Sequence, residues 1–190
     1  MITVVSDTHG TDGHRLTGRT LAAVRRAELV VHAGDFTTEA VLDAIEAEVG
    51  ADAEAVVGAE TGAGDAPAAP AFAAVHGNNA TPAVRERLPA TRVVAHAGVR
   101  IVVVHGHEHD ATALSLLARQ ERADLAVVGH SHEPDFRADG PVPVLNPGSY
   151  ADPRWYRPAH AELERTDSGL DGRLVSPEGD VFRDFSVTVD

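Results

Sequence analysis

The sequence of 190 residues has no cysteine. That excludes a disulfide framework and a thiolate metal site, so any bound metal must sit on His, Asp, Glu, Asn or water. Lysine is also missing: all 16 cationic side chains are Arg, set against 29 Asp plus Glu for a net charge of −13. Such an acidic balance repels nucleic-acid backbones and anionic lipid surfaces, and it points to small or locally recognised partners. No apolar run approaches membrane-spanning length, and the chain enters a strand pattern directly, with no basic segment followed by an apolar one. The expectation is a soluble, cytoplasmic protein. Aromatics make up only 4% of residues while Ala is abundant. Together with the acidic excess and the lack of Lys, this resembles proteins of salt-loving organisms and predicts instability at low salt, although a GC-rich genome would also account for the Arg and Ala. There is no internal repeat, no heptad and no nucleotide-type glycine loop.

The length fits a single domain over 1–190. Short Val- and Ile-rich runs predict buried, largely parallel strands at Ile2–Ser6, Leu29–Ala33, Phe72–His76, Val99–Val104 and Asp124–Val128. Helical spacing predicts helices over His14–Ala27, Glu39–Val49 with Thr38 as cap, from Pro82 onward, and over Ala111–Arg122. Arg92–His96 and Val99–Val104 read as a hairpin, and Val142–Leu145, His160–Glu164 and Val181–Val189 as later antiparallel strands. The stretch 50–71, mostly Ala, Gly, Asp, Glu and Pro, reads as a flexible loop insertion.

The chemistry is concentrated in five fragments that follow strand-like runs: Asp7-Thr8-His9, Gly34-Asp35, Gly77-Asn78, His105-Gly106-His107 and Gly129-His130-Ser131-His132. In α/β folds, ligands just past the C-terminal ends of strands converge in space. Two residues apart on an extended segment, Asp7 and His9 face one side and can ligate one ion together. His130 and His132 share that spacing and could serve two neighbouring ions. Asp35 is a carboxylate able to bridge two cations, Asn78 offers a neutral oxygen and His105 a nitrogen. This mixed set suits Mn, Fe, Zn, Ni or Co better than Ca or Mg.

These residues resemble the calcineurin-like metallophosphoesterase superfamily, in particular its small YfcE-like phosphodiesterase branch, across nearly the whole chain. Asn146-Pro147-Gly148-Ser149 matches a further turn common in that branch. The resemblance implies an α/β fold, a four-layer αββα sandwich of two mixed β-sheets flanked by helices. It also implies two divalent ions, Mn foremost and Ni, Zn, Fe or Co as alternatives. Asp7, His9 and His132 would hold one metal and Asn78, His105 and His130 the other, with Asp35 as the bridge. Two ions, two carboxylates and a bridging hydroxide leave the site at about +1, a cationic hole for a phosphate. Attack by that hydroxide would hydrolyse a small phosphoester without a covalent intermediate.

The chain departs from the wider family after Asn78: Asn79 and Ala80 stand where many members carry a His that assists the leaving group. Asn79 can hydrogen-bond a phosphate but is no strong acid, which favours phosphodiesters or activated esters over alkyl monoesters. Asn79 and His107 are the candidate substrate-binding and catalytic residues beside Asp35 and Asn78, and His109 is a further candidate acid. His32 and His76 read as packing or hydrogen-bonding residues, His14, His96 and His160 as surface or edge residues, and Arg154 as a surface salt-bridge partner, with phosphate binding as its alternative. The alternative function is a non-catalytic, metal-binding scaffold, since the retromer coat uses a protein of this fold in that way. Extended nucleic acid and membrane are not expected partners, and a homo-oligomer stays open.

Overall fold

The computed structural model describes residues 1–49, 71–96 and 98–189. Its elements are β1 (Ile2–Val5), α1 (Gly18–Arg26), β2 (Leu29–His32), α2 (Glu39–Glu46), β3 (Ala71–Ala74), α3 (Pro82–Arg87), β4 (Thr91–His96), β5 (Val99–Val104), α4 (Ala111–Gln120), β6 (Leu125–Val127), β7 (Pro134–Arg137), β8 (Val144–Pro147), β9 (His160–Thr166), β10 (Gly169–Val175) and β11 (Val181–Thr188). They form a six-stranded sheet in the order β11-β10-β9-β1-β2-β3 and a five-stranded sheet in the order β4-β5-β6-β8-β7. Both sheets are mixed. β1, β2 and β3 run parallel, as do β5, β6 and β8, with antiparallel strands completing each sheet.

Strand alternation builds the layers. Ile2, Val4, Leu29 and Val31 of the first sheet meet Val99, Ile101, Val103, Leu125 and Val127 of the second in a shared core. Each such fully buried side chain contributes roughly 1.5–3 kcal/mol. The opposite faces are covered as well. Val5, Val30 and Ala74 pack under Val24, Val41, Leu42, Ile45 and Val84 from α1 to α3, and Val102, Val104 and Ala126 pack under Leu114 and Ala118 of α4. The result is the expected four-layer αββα sandwich of two mixed sheets between helices.

Local signals account for several boundaries. Thr81 caps α3 by accepting from Val84 N, with Pro82 in the first turn, and Asp110 caps α4 by accepting from Ala113 N at 2.8 Å. Thr38 does occupy the N-cap of α2, but its hydroxyl donates to the Thr11 carbonyl instead of capping. α1 begins at Gly18, four residues later than the apolar spacing indicates. β8 pairs antiparallel to β7, as expected, but parallel to β6 on its other side. Of the 50–71 insertion only Ala71 falls among the described residues, and it opens β3.

A buried charge network sits apart from the metal-ligand motifs. The Glu162 carboxylate, on β9, is fully buried and accepts from Arg19 Nε at 2.6 Å, Arg19 Nη2 at 2.7 Å and Arg173 Nε at 3.1 Å. His160 stands 3.1 Å away on the same strand and contacts Thr20 Oγ1 at 3.0 Å. It is buried, not at the surface, because α1 covers this part of the sheet. Burial alone would raise the Glu162 pKa, but the bonds from Arg19 and His160 outweigh it and hold the carboxyl below its ordinary value of 4.5. A depressed carboxyl pKa stabilises the fold above that ordinary value, and this contribution is lost as pH falls through the lower folded value. Glu162→Gln is therefore expected to cost about 2 kcal/mol at neutral pH, or about 4–8 °C in Tm. Thermal melts should show the gap from wild type narrowing below pH 4.5. A gap unchanged by acid would show that the charge at Glu162 does not matter.

Candidate metal centre

The expected ligands follow the C-terminal ends of parallel strands from both sheets. Asp7 and His9 follow β1, Asp35 follows β2 and Asn78 follows β3, while His105 follows β5 and His130 and His132 follow β6. Backbone bonds stitch the loops together: Asp7 N donates to Gly34 O and His9 N to Asp35 O, each at 2.9 Å, and Gly129 N to His105 O at 3.1 Å. Leaving the strands so sharply forces unusual backbone. Asp7, His9, Asp35, His130 and His132 have φ of 50°, 42°, 61°, 68° and 63°, and they are five of the eight described non-glycine residues with positive φ. Asp and His tolerate this region better than most residues, but such conformations cost of order 1–3 kcal/mol each and cluster at functional sites.

Among the described residues, two groups of ligand atoms lie within 4.8 Å of one another, Asp7 with His9 and His132, and Asp7 with Asp35 and His105. Asp7 belongs to both. Its Oδ2 accepts from Ser6 Oγ at 2.5 Å and from His130 N at 3.0 Å. Its Oδ1 is buried without a hydrogen-bond partner, although His132 Nε2 lies 3.3 Å away and His105 Nε2 lies 3.9 Å away. The hydrogen bonds on the far sides of those rings explain this. His105 Nδ1 donates to the Ala33 carbonyl at 2.7 Å, and His132 Nδ1 donates to the Asp152 carbonyl. In its neutral form each ring therefore turns a bare Nε2 lone pair inward, the arrangement carbonyl partners impose on metal-binding imidazoles. His105 Nε2 then faces Asn78 Oδ1 at 3.1 Å and Asp35 Oδ2 at 3.4 Å, acceptor against acceptor. Only a proton or a cation can occupy such a gap.

The proton affinities express the same frustration. Burial opposes charge on His105 and His132, yet Asp35 and Asp7 raise the first, and Asp7 with the Asp152 carbonyl raises the second. Burial likewise disfavours ionised Asp7 and Asp35, and the facing imidazoles hold both carboxyls below the ordinary range. The place a second proton takes on these rings is the place a divalent ion could take.

The other expected residues are close by. His9 Nε2 lies 3.4 Å from His132 Nε2. The exposed His130 ring sits with its centroid 5.3 Å from that of His105. Asn79 donates to both Asp35 oxygens, from its backbone N at 2.9 Å and its side chain at 2.6 Å. Its amide therefore fixes Asp35, and is not free for a phosphate while it does so. The His107 ring centroid is 5.4 Å from His105 and 6.0 Å from His130; its Nδ1, like that of His109, is buried without a partner. Burial, then His105, lowers the His107 pKa. His32 matches its reading as a hydrogen-bonding residue: Gly34 N donates to its Nδ1 at 3.1 Å, its Nε2 meets Thr8 Oγ1 at 3.0 Å, and its ring stacks on Phe36 at 3.7 Å. Burial holds its pKa down at about 3, so this support is neutral. Arg154 departs from its reading. Among the described residues it forms no ion pair, and its charge is felt at His130 and His132, whose protonation it disfavours.

Several supports were not singled out as site residues from sequence. Ser149 Oγ donates to the Asp7 carbonyl at 2.7 Å and accepts from Asp152 N at 2.9 Å. Asn146 Nδ2 reaches Gly129 O and Ser131 Oγ, both at 2.9 Å. The Asn146–Ser149 turn was visible in sequence, but its task of bracing two ligand loops was not. Ser6 and the Asp152 carbonyl gave no signal.

The family model described as the calcineurin-like phosphoesterase superfamily domain matches residues 1–168. A probable metallophosphoesterase of Methanothermobacter thermautotrophicus is 27% identical, covering 98% of each chain. Among the solved structures that share the fold are two of interest. Zinc-complexed Vps29 of Entamoeba histolytica matches at 22% identity and a TM-score of 0.69, covering 97% of this chain and 98% of its own. An archaeal phosphodiesterase matches at 20% identity and a TM-score of 0.59, covering 92% and 99%.

Proposed function

The chain belongs to the calcineurin-like phosphoesterase superfamily, and from that premise we propose that it is a phosphodiesterase that hydrolyses small phosphoesters with two divalent cations. The observation that carries this reading is the facing of buried Asp7 and Asp35 oxygens and inward Nε2 lone pairs at 3.3–3.9 Å. Such a gap suits a cation. In this reading Asp7, His9 and His132 would hold one ion and Asn78, His105 and His130 the other, with Asp35 as the shared ligand and Asp7 within reach of both groups. When bound, divalent ions supply Lewis acidity towards phosphoryl oxygens and make hydroxide available near neutral pH. Mn fits the mixed oxygen and nitrogen donors, with Ni, Zn, Fe and Co also compatible.

The protein's own groups prepare that chemistry. The Ala33 and Asp152 carbonyls fix the tautomers of His105 and His132. Asn79 orients Asp35, and Ser6 with His130 N orients Asp7. The preference for diesters or activated esters follows from the weakness of the acids around this pocket. Asn79 is engaged, and a His107 of lowered pKa is mostly neutral at pH 7. A net charge of −13 opposes long polyanions and anionic membranes as partners. No described helix is long and apolar enough to cross a membrane.

The test is hydrolysis of an aryl phosphodiester, an aryl monoester and an alkyl monoester by metal-stripped protein in high salt, with Mn, Ni, Zn or no metal added. Diester turnover should require metal, and the alkyl monoester should react about 10²-fold more slowly, reflecting the missing acid. Folded protein that binds metal yet turns over none of the esters would favour the scaffold reading, for which the likeness to Vps29 is the supporting observation.

A further inference from the structure

The loop after Ser149 is tied to the metal centre at its start. Asp152 N donates to Ser149 Oγ, and the Asp152 carbonyl accepts from His132 Nδ1. Just before it, Tyr150 Oη meets Thr17 Oγ1 at 2.5 Å, and at its far side the Arg157 guanidinium lies 4.8 Å over the Phe182 ring. Between these anchors Tyr156 N donates to Pro153 O at 2.8 Å, closing a turn with Arg154 and Trp155 at its tip. Arg154 takes φ of 52°, a costly choice for a long side chain in a turn that sequence would more readily fill with Asn or Gly.

What the turn displays is unusual for this chain. Trp155 is its only tryptophan, yet it is 94% exposed, and Tyr156 beside it is exposed too. Tryptophan is among the residues most buried on average, so an isolated one held out on a pinned loop calls for a ligand. Three residues of chain place the Trp155 Cα no more than about 11 Å from Asp152, which touches His132. Arg154, two residues beyond Asp152 and without an ion pair among the described residues, brings a positive charge to this loop in a chain of net charge −13.

The geometry points to a nucleoside phosphodiester as the substrate class, its phosphate met by Arg154 at the edge of the metal centre and its base stacked on Trp155. This rests on the phosphodiesterase reading and specifies what flanks the scissile phosphate. A π-face accepts any base, so the platform selects for a planar group and not for a sequence. The acidic surface limits the substrate to a short one, since a longer polyanion would have to cross repulsive ground.

Two measurements test it. The first compares thymidine 5′-(p-nitrophenyl phosphate) with methyl p-nitrophenyl phosphate, which share a leaving group. Wild type should favour the nucleoside ester in kcat/KM, chiefly through KM. Trp155→Ala should reduce that ratio by about tenfold, within the range of base–aromatic stacking, and Trp155→Phe should restore part of it. The second titrates the zinc-loaded protein with adenosine monophosphate or ribose 5-phosphate while following tryptophan fluorescence, whose sole source is Trp155. Quenching by the nucleotide and not by the sugar phosphate is expected. An unchanged ratio in Trp155→Ala, or equal quenching by both ligands, overturns the platform while leaving phosphodiester hydrolysis intact. If wild type hydrolyses neither ester, the phosphodiesterase reading fails and the fluorescence alone decides whether Trp155 receives a base.

Discussion

Asp35→Asn is expected to lower kcat/KM for an aryl phosphodiester by about 10³-fold while leaving the protein folded. The substitution keeps the shape of the side chain and removes one negative charge between the two proposed cation positions. Opposite unit charges about 4 Å apart attract by about 4 kcal/mol at an effective dielectric of about 20, and that energy corresponds to roughly 10³ in rate or affinity. The supporting bonds also suffer. Asn79 donates to both Asp35 oxygens, and an amide nitrogen in place of Oδ2 would oppose the Asn79 side chain now 2.6 Å away. Metal titration by calorimetry should show at least one site weakened in parallel. Activity within tenfold of wild type would remove Asp35 from the proposed bridge.

Gly77→Ala should act on the same carboxylate from behind. A Cβ on Gly77 would stand 1.9 Å from Asp35 Oδ1, 2.6 Å from its backbone N and 2.7 Å from its Cγ. The side-chain oxygen could swing away, but the backbone nitrogen cannot without dragging the loop after β2 with it. Overpacking of this kind costs about 1–3 kcal/mol, and displacing a supported ligand costs about 10–100-fold in metal affinity. Gly140→Ala is the control, since its nearest neighbour is the Val142 carbonyl at 3.8 Å. Thermal melts and metal titration should separate the two variants clearly. A Gly77→Ala protein with wild-type metal affinity would show that the loops relax around the added methyl group.

The parts of this protein legible in sequence are those that repeat a local rule. Runs such as Leu29–His32 and Val99–Val104 are mostly apolar, Arg100 being the exposed exception, because each sheet is covered on both sides, and the ligand motifs follow them directly. β7 and β10 escaped notice because Pro134-Asp135-Phe136-Arg137 is a short edge strand and β10 carries Gly169 and Gly172 among polar residues. The direction of β8 depends on the path of the whole chain, which no local window contains. His160 looked peripheral because its cover comes from α1, some 140 residues earlier. Arg154 looked like a salt-bridge residue because sequence gives charge but not the company it keeps. The left-handed backbone at five expected ligands was not legible, since Asp and His tolerate that region but the surrounding fold decides where they adopt it.

Because the candidate ligands after β1, β2 and β3 face those after β5 and β6 across the seam between the sheets, a cation bound there would act as a cross-link between two halves of the molecule. Neither sheet could then open without surrendering the ion, so the free energy of binding, about 2.7 kcal/mol at a hundredfold excess over Kd, would be shared by both. Amide hydrogen exchange in the strands of either sheet would slow together on loading, and two sheets that could fluctuate separately would become one cooperative unit.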